Sequence, residues 1–178
     1  MSLVPVFWFT GLSGAGKTTV ADGVKLLLGF EGRKVLILDG DEIRQRLHSH
    51  FDFTPEGIIK NNAAIAQLCR DQAGEYDAIL VAIISPYRHS RSTARKLLGP
   101  RFYEIYFAAD LATVVDRDVK GLYAKAKKNE ITNLIGYSDG SVYEAPERPD
   151  LVIDSSKEPA EESIKKLYQF VIQRAEKS

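Results

Sequence analysis

The sequence predicts an α/β fold, a parallel sheet covered by helices, and two observations carry that reading. Apolar runs of strand length recur along the chain, mostly apolar throughout rather than alternating, as in strands buried on both faces. Helix-compatible stretches lie between them, and strand alternating with helix implies right-handed crossovers. In order, "VPVFWFT" (4–10) gives the first strand and "KTTVADGVKLLLGF" (17–30) the first helix. "KVLILD" (34–39) gives the second strand and "PEGIIKNNAAIAQLCRDQAG" (55–74) a long helix. "DAILVAIIS" (77–85), "RSTARKLL" (91–98), "RFYEIYFA" (101–108) and "DLATVVDRD" (110–118) repeat the alternation, and "DLVID" (150–154) with "AEESIKKLYQFVIQRAEKS" (160–178) closes it. Each strand run is rich in Val, Ile, Phe or Tyr. Residues 119–149 break the rhythm with four lysines, three glycines and two prolines. So long a connection marks a functional lid or a disordered stretch. With no repeat, low-complexity tract or linker, one domain over residues 1–178 is expected.

Composition narrows the function classes. The 178 residues suffice for a single hydrophobic core. Lys plus Arg and Asp plus Glu both number 24, so no basic excess points to a nucleic-acid polymer. No apolar stretch approaches the roughly 18 residues that span a bilayer. The opening "MSLVPVFWFTG" lacks the order of a signal peptide. The lone Cys69 sits at helical spacing in "AAIAQLCR" and reads as a buried thiol. Three scattered His and one Cys give no cluster with metal-ligand spacing. A soluble protein of the cytoplasm, with a small-molecule partner, is expected.

"GLSGAGKT" at 11–18 matches the phosphate-binding loop pattern in full, between a strand and a helix. Gly11, Gly14 and Gly16 let backbone N–H groups turn around phosphate oxygens. Lys17 supplies a point charge to the β- and γ-phosphates, and Thr18 a hydroxyl to Mg²⁺. Three reactions remain open: phosphoryl transfer to a small acceptor, a GTPase switch, or nucleotide binding without turnover. The guanine-reading Asn-Lys-x-Asp motif of a GTPase is missing from the sequence.

Such a loop needs an acid near Thr18 to hold magnesium or its waters. The run "DAILVAII" ends in Ser85, so the carboxylate must come from elsewhere. Asp39 and Asp41, at the end of "KVLILDGD", are the candidates, one to orient an acceptor hydroxyl and the other to serve magnesium. Arg44 follows one helical turn on, toward an anionic acceptor. The plainer alternative makes Asp41 the cap of a helix starting at Glu42.

Over nearly its whole length the chain resembles the adenylylsulfate (APS) kinases. The resemblance rests on "GLSGAGKTT", "LDGDEIR", "FTPE" followed by Asn61, "ISPYRHSR", "EIYF", "RDVKGLYAKAK" and "YEAPERPDLVID". It implies a P-loop kinase with a five-stranded parallel sheet. The activity implied is phosphate transfer from ATP, with Mg²⁺, to the 3′-hydroxyl of adenosine 5′-phosphosulfate in sulfate assimilation. It further implies a mobile lid over about 117–145 and assembly as a homodimer. ATP would be held by Gly11, Ser13, Gly14, Ala15, Gly16, Lys17, Thr18, Thr19 and Arg117. Thr18 and Asp39 are the metal-side residues. Asp39, Asp41 and Arg44 match the family's aspartate pair and arginine, Phe53 its base-stacking residue and Asn61 its substrate contact. Ile84, Ser85 and Pro86 match the loop lining the acceptor site, and Lys120 the lysine at the substrate's phosphate region. Lys17, Asp39, Asp41 and Ser85 are the catalytic candidates. Ser85 also reads more simply as a polar residue at a strand end, and Lys125, Lys127 and Lys128 as a solvated basic helix face.

Three positions depart from the family pattern. Ile58 and Ala63 stand where arginines are usual, and Leu134 where a phenylalanine helps sandwich the acceptor's adenine. All three lie on the acceptor side. A different nucleotide conjugate, such as cytidine diphosphoramidate, is the competing acceptor, and a non-catalytic nucleotide-binding module the remote one.

Overall fold

A computed structural model describes residues 4–40, 42–43, 54–72 and 74–175. Among these, five strands form one parallel sheet: β1 (Val6–Thr10), β2 (Val35–Asp39), β3 (Ala78–Ala82), β4 (Phe102–Phe107) and β5 (Leu151–Ile153), in the order β2-β3-β1-β4-β5. The helices are α1 (Lys17–Phe30), α2 (Pro55–Asp71), α3 (Arg88–Leu98), α4 (Leu111–Arg117), α5 (Leu122–Lys127) and α6 (Ala160–Ala175). A 3₁₀ turn, Gly99–Arg101, leads into β4.

The central strand shows why the apolar runs do not alternate. All five residues of β1 are buried, because helices cover both faces of the sheet. Phe7 and Phe9 enter a core shared with Val20, Val24 and Leu28 of α1 and Leu167 and Val171 of α6. Val6 and Trp8 enter a second core with Ile65 and Cys69 of α2 and Ala94 and Leu98 of α3. Successive side chains of a strand point to opposite faces, so one strand feeds two cores. Burial pushes the Cys69 thiol up to about 12, which keeps it a neutral packing group.

Helix starts follow local chemistry. Thr54 caps α2, its hydroxyl accepting from the Gly57 N–H at 3.1 Å, with Pro55 in the first turn. Asp110 caps α4 through the Thr113 N–H at 2.7 Å, and that bond holds its carboxyl below the usual range. Helix α3 begins at Arg88, three residues before the expected stretch.

Residues 119–149 are not an open loop. They contain α5, whose start is held by the Asp118 carboxylate accepting from the N–H groups of Tyr123 (3.0 Å) and Ala124 (2.8 Å). Tyr123, Ala126 and Leu134 are buried in the α1-side core.

The strand order places a switch point beside β1. The chain builds β2 and β3 on one side of it and β4 and β5 on the other. Ligands of open α/β sheets bind outside the carboxyl ends of strands at such a point. The phosphate loop, Asp39 and the loop after β3 all sit there.

Candidate active site

The loop between β1 and α1 owes its shape to its glycines. Gly14 and Gly16 hold φ of 80° and 83°, and Gly16 serves as the N-terminal cap of α1. A Cβ at Gly11 would stand 2.7 Å from the Phe107 carbonyl oxygen and 2.9 Å from the Phe107 Cβ, so the close approach to β4 requires glycine. Ala15, within the loop, is fully buried. Lys17 is also buried, and its Nζ donates to the carbonyls of Gly11 (2.9 Å) and Leu12 (2.7 Å). These bonds fold the ammonium over the loop whose N–H groups and helix N-terminus favour anions.

The Thr18 hydroxyl donates to Asp39 Oδ2 at 2.9 Å. Register explains the meeting: β2 pairs with β3 so that Asp39 stands beside Ala82, at the carboxyl end of the sheet next to the first turn of α1. Two hard oxygen ligands thus face one cleft, and the pair fits a magnesium ion, which takes few protein ligands and completes its shell with phosphates and water. No group of three or more His, Cys, Asp or Glu suited to a metal occurs among the described residues.

One cleft of about 590 Å³ gathers these parts. Its floor is Ser13, Gly14, Gly16, Lys17, Thr18 and Thr19, and its far wall Asp39 with Ile83 and Ile84. Lys120, Glu130 and the stretch from Ile131 to Ile135, which includes Leu134, come from the lid segment and complete it. Among the described residues, Lys17 and Lys120 are the cations of this lining.

Other expected residues that the structure describes lie apart from the cleft wall. Arg117 ends α4 and donates from Nη2 to the Ser155 carbonyl at 2.5 Å, in the loop after β5. Asn61 is buried on α2 with its Oδ1 lacking a hydrogen-bond partner in the protein. Pro86 is buried, its carbonyl accepting from the Glu144 N–H at 2.9 Å. Ser85 is buried at φ 44°, and its hydroxyl oxygen accepts from Trp8 Nε1 and Asn62 Nδ2, both at 2.9 Å. Asp41, Arg44 and Phe53 lie outside the described residues.

Several contributors escape a reading by motif. Asn62, beside the expected Asn61, bridges Ser85 and Ser90 from the core side of α2. Tyr123 is buried, and its hydroxyl donates to the Ser13 carbonyl at 2.9 Å, joining α5 to the phosphate loop. Burial, and then the neighbouring Asp118 charge, push the Tyr123 phenol up to about 12, so it remains a donor at neutral pH. The arginines after β3 are bonded within the protein. Arg88 is exposed and bound to Glu147 and the Ala145 carbonyl, while buried Arg91 is bound to Glu104.

Comparison with known proteins agrees with this geometry. The family model described as adenylylsulphate kinase matches residues 4–154. An adenylyl-sulfate kinase from Halothermothrix orenii is 47% identical over 168 residues, covering 92% of this chain and 87% of its own. One from Paraburkholderia xenovorans is 37% identical over 167 residues, covering 94% and 92%. Among solved structures, the Mycobacterium tuberculosis APS kinase in complex with AMPPNP and APS superposes with a TM-score of 0.86 at 32% identity, covering 99% of both chains. The chain belongs to the adenylylsulfate kinase family.

Proposed function

We propose that this protein transfers the γ-phosphoryl group of ATP to the 3′-hydroxyl of adenosine 5′-phosphosulfate, giving the 3′-phosphorylated product and ADP. The observation that carries the reading is one cleft uniting a complete phosphate loop, the Thr18–Asp39 pair and the lid lysine Lys120. The relatives named adenylyl-sulfate kinase, and the related structure holding AMPPNP and APS, support the choice of donor and acceptor.

The residues divide the work. The loop N–H groups and Lys17 hold the donor phosphates and meet charge as it moves to the β–γ bridging oxygen. Thr18 and Asp39 would hold Mg²⁺, which supplies charge neutralisation across the β- and γ-phosphates when bound. Their hydrogen bond supports Asp39 as the metal-side acid, leaving Asp41 to orient the acceptor hydroxyl as its oxygen attacks phosphorus. Lys120 neutralises nucleotide charge from the cleft lining, and Arg117 would join it on the ATP side by exchanging the Ser155 carbonyl for phosphate. Arg44, Phe53, Asn61 and Leu134, with the Ile84–Pro86 loop, form the acceptor side, and the unpartnered Asn61 Oδ1 supports a ligand contact there. The segment from about 117 to 145 is the lid of a single domain, excluding water that would compete for the phosphoryl group.

Ser85 is better read as an anchor than as a catalytic residue. Two N–H donors already engage its hydroxyl oxygen, and the cleft wall does not include it. The family resemblance makes a cytoplasmic homodimer the expected working form, and no described helix is long and apolar enough to cross a membrane.

Steady-state kinetics test the function. Efficient, Mg²⁺-dependent ADP release with adenosine 5′-phosphosulfate is expected. Transfer only to a cytidine diphosphate conjugate would replace the acceptor, and release indifferent to any acceptor would remove the kinase reading.

A further inference from the structure

One buried cation is bonded to the backbone of the loop after β3, where that backbone is unusual. Arg91 of α3 is 2% exposed, and its planar fork meets three separate parts of the chain. Nε donates to Glu104 Oε1 on β4 at 2.6 Å. Nη1 donates to the Ser85 carbonyl at 2.7 Å, and Nη2 to the Glu144 carbonyl at 2.7 Å. Ser85 is the residue with φ of 44°, a left-handed conformation that a side chain disfavours and that its surroundings must enforce.

The contacts around this fork form a continuous junction. The Thr10 hydroxyl reaches the carbonyls of Ile84 and Ser85, both at 3.0 Å, and pairs with the Tyr143 hydroxyl at 2.8 Å. Since the single Thr10 proton is directed at those carbonyls, Tyr143 is the donor of that pair. Burial, chiefly, pushes the Tyr143 phenol up, which keeps its proton in place. The Gly11 N–H donates to the Ile84 carbonyl at 3.2 Å, and the Glu144 N–H to that of Pro86 at 2.9 Å. Ile83 and Ile84 face the cleft, whereas Arg91 does not.

We propose that Arg91 is a positioning residue that sets the acceptor wall: its fork pins the Ser85 carbonyl and the 143–145 strap together, so that Ile83 and Ile84 face the acceptor in one arrangement. The inference rests on the acceptor lying against this loop, as the proposed function has it. A lysine could keep the charge beside Glu104 but not the three-way planar geometry. The charge itself is balanced by Glu104, so it is the fork's shape that does the positioning.

The test separates positioning from stability. Replacing a buried ion pair by apolar residues is often neutral for stability, whereas breaking one half is not. The double variant Arg91→Met with Glu104→Met is therefore compared with Arg91→Lys, and Arg95 keeps Asp150 as its partner in both. The expected result is an acceptor KM raised about tenfold in either variant, with the ATP KM within about twofold. A folded double variant with unchanged acceptor KM overturns the proposal. Should the double variant not fold, an unchanged acceptor KM in Arg91→Lys does the same. Hydrogen exchange needs no acceptor: the amides of Gly11 and Glu144 should exchange about tenfold faster in Arg91→Lys, and unchanged exchange overturns the proposal. If the wild-type protein phosphorylates no nucleotide 3′-hydroxyl, the proposed function fails and the exchange measurement still decides the role of Arg91.

Discussion

The two walls of the cleft are built in different ways. The donor wall is made of neighbours in sequence: Gly11 to Thr18 shape one loop, and Lys17 bonds to carbonyls five and six residues away. The wall proposed for the acceptor, Ile83 and Ile84, is backed by contacts between distant parts. Trp8 reaches Ser85 across 77 positions, Arg91 reaches Glu144 across 53, and Thr10 reaches Tyr143 across 133. Backbone geometry dictated by glycine survives drift elsewhere in the chain, whereas a wall of side-chain bonds changes whenever one partner does. Of the positions departing from the family pattern, Leu134 lines the cleft from the lid segment, while Ile58 is buried and Ala63 exposed on α2.

The largest effect expected tests the donor wall. Lys17→Ala should lower turnover about 10³-fold with the fold retained, since it removes a charge that meets the moving phosphoryl group. Near wild-type turnover at saturating ATP, beside an unchanged melting curve, would take Lys17 out of the mechanism.

Asp39→Asn probes the junction of the walls. The carboxamide can still accept from Thr18 but carries no charge, so turnover should fall about 10²-fold and the Mg²⁺ concentration for half-maximal rate should rise. A magnesium titration that overlays the wild type would move the metal-side acid elsewhere.

Asn62→Leu breaks the acceptor wall alone. The buried amide donates to Ser85 and Ser90 at 2.9 and 3.1 Å, so its loss should cost about 1–3 kcal/mol of stability. The acceptor KM should rise while the ATP KM stays put. An equal rise in both constants would show that the walls are mechanically one, and the comparison would fail.

The smallest effect sharpens the link between lid and phosphate loop. Tyr123→Phe removes the bond to the Ser13 carbonyl, about 1 kcal/mol at neutral pH. The phenol is raised from the ordinary 10.0 to about 12 in the folded protein. The unfolded chain therefore releases this proton first as pH rises. Its stabilisation is complete below about 10 and is lost as pH climbs through about 12. Denaturation midpoints measured from pH 9 to 12 should fall less steeply in the variant, and parallel curves would discount the phenol.

What the sequence allowed one to read follows the same division. The strand runs stand out because both faces are buried, and the phosphate loop because its geometry needs glycine at fixed spacing. Helix α1 was legible to its ends, Lys17–Phe30. Helix α5 was legible only as a basic helix face at its lysines, not in its bounds, because its six residues follow Gly121 and its start is held by Asp118, four positions before it. Nor could spacing show that Asn62 faces Ser85 or that Arg91 is buried against Glu104. Those roles depend on which helix face meets the sheet, which a local pattern does not encode. The resemblance pointed to Ser85 as a participant, but only the bonds from Trp8 and Asn62 show its hydroxyl to be anchored.

Trp8 is the single tryptophan of the chain, and it is fully buried with its indole N–H bonded to Ser85. The protein therefore carries its own optical probe, an indole on β1 whose N–H touches the loop after β3. A shift of its emission on mixing with nucleotides, followed in a stopped-flow instrument, would time the rearrangement of that loop without any attached dye.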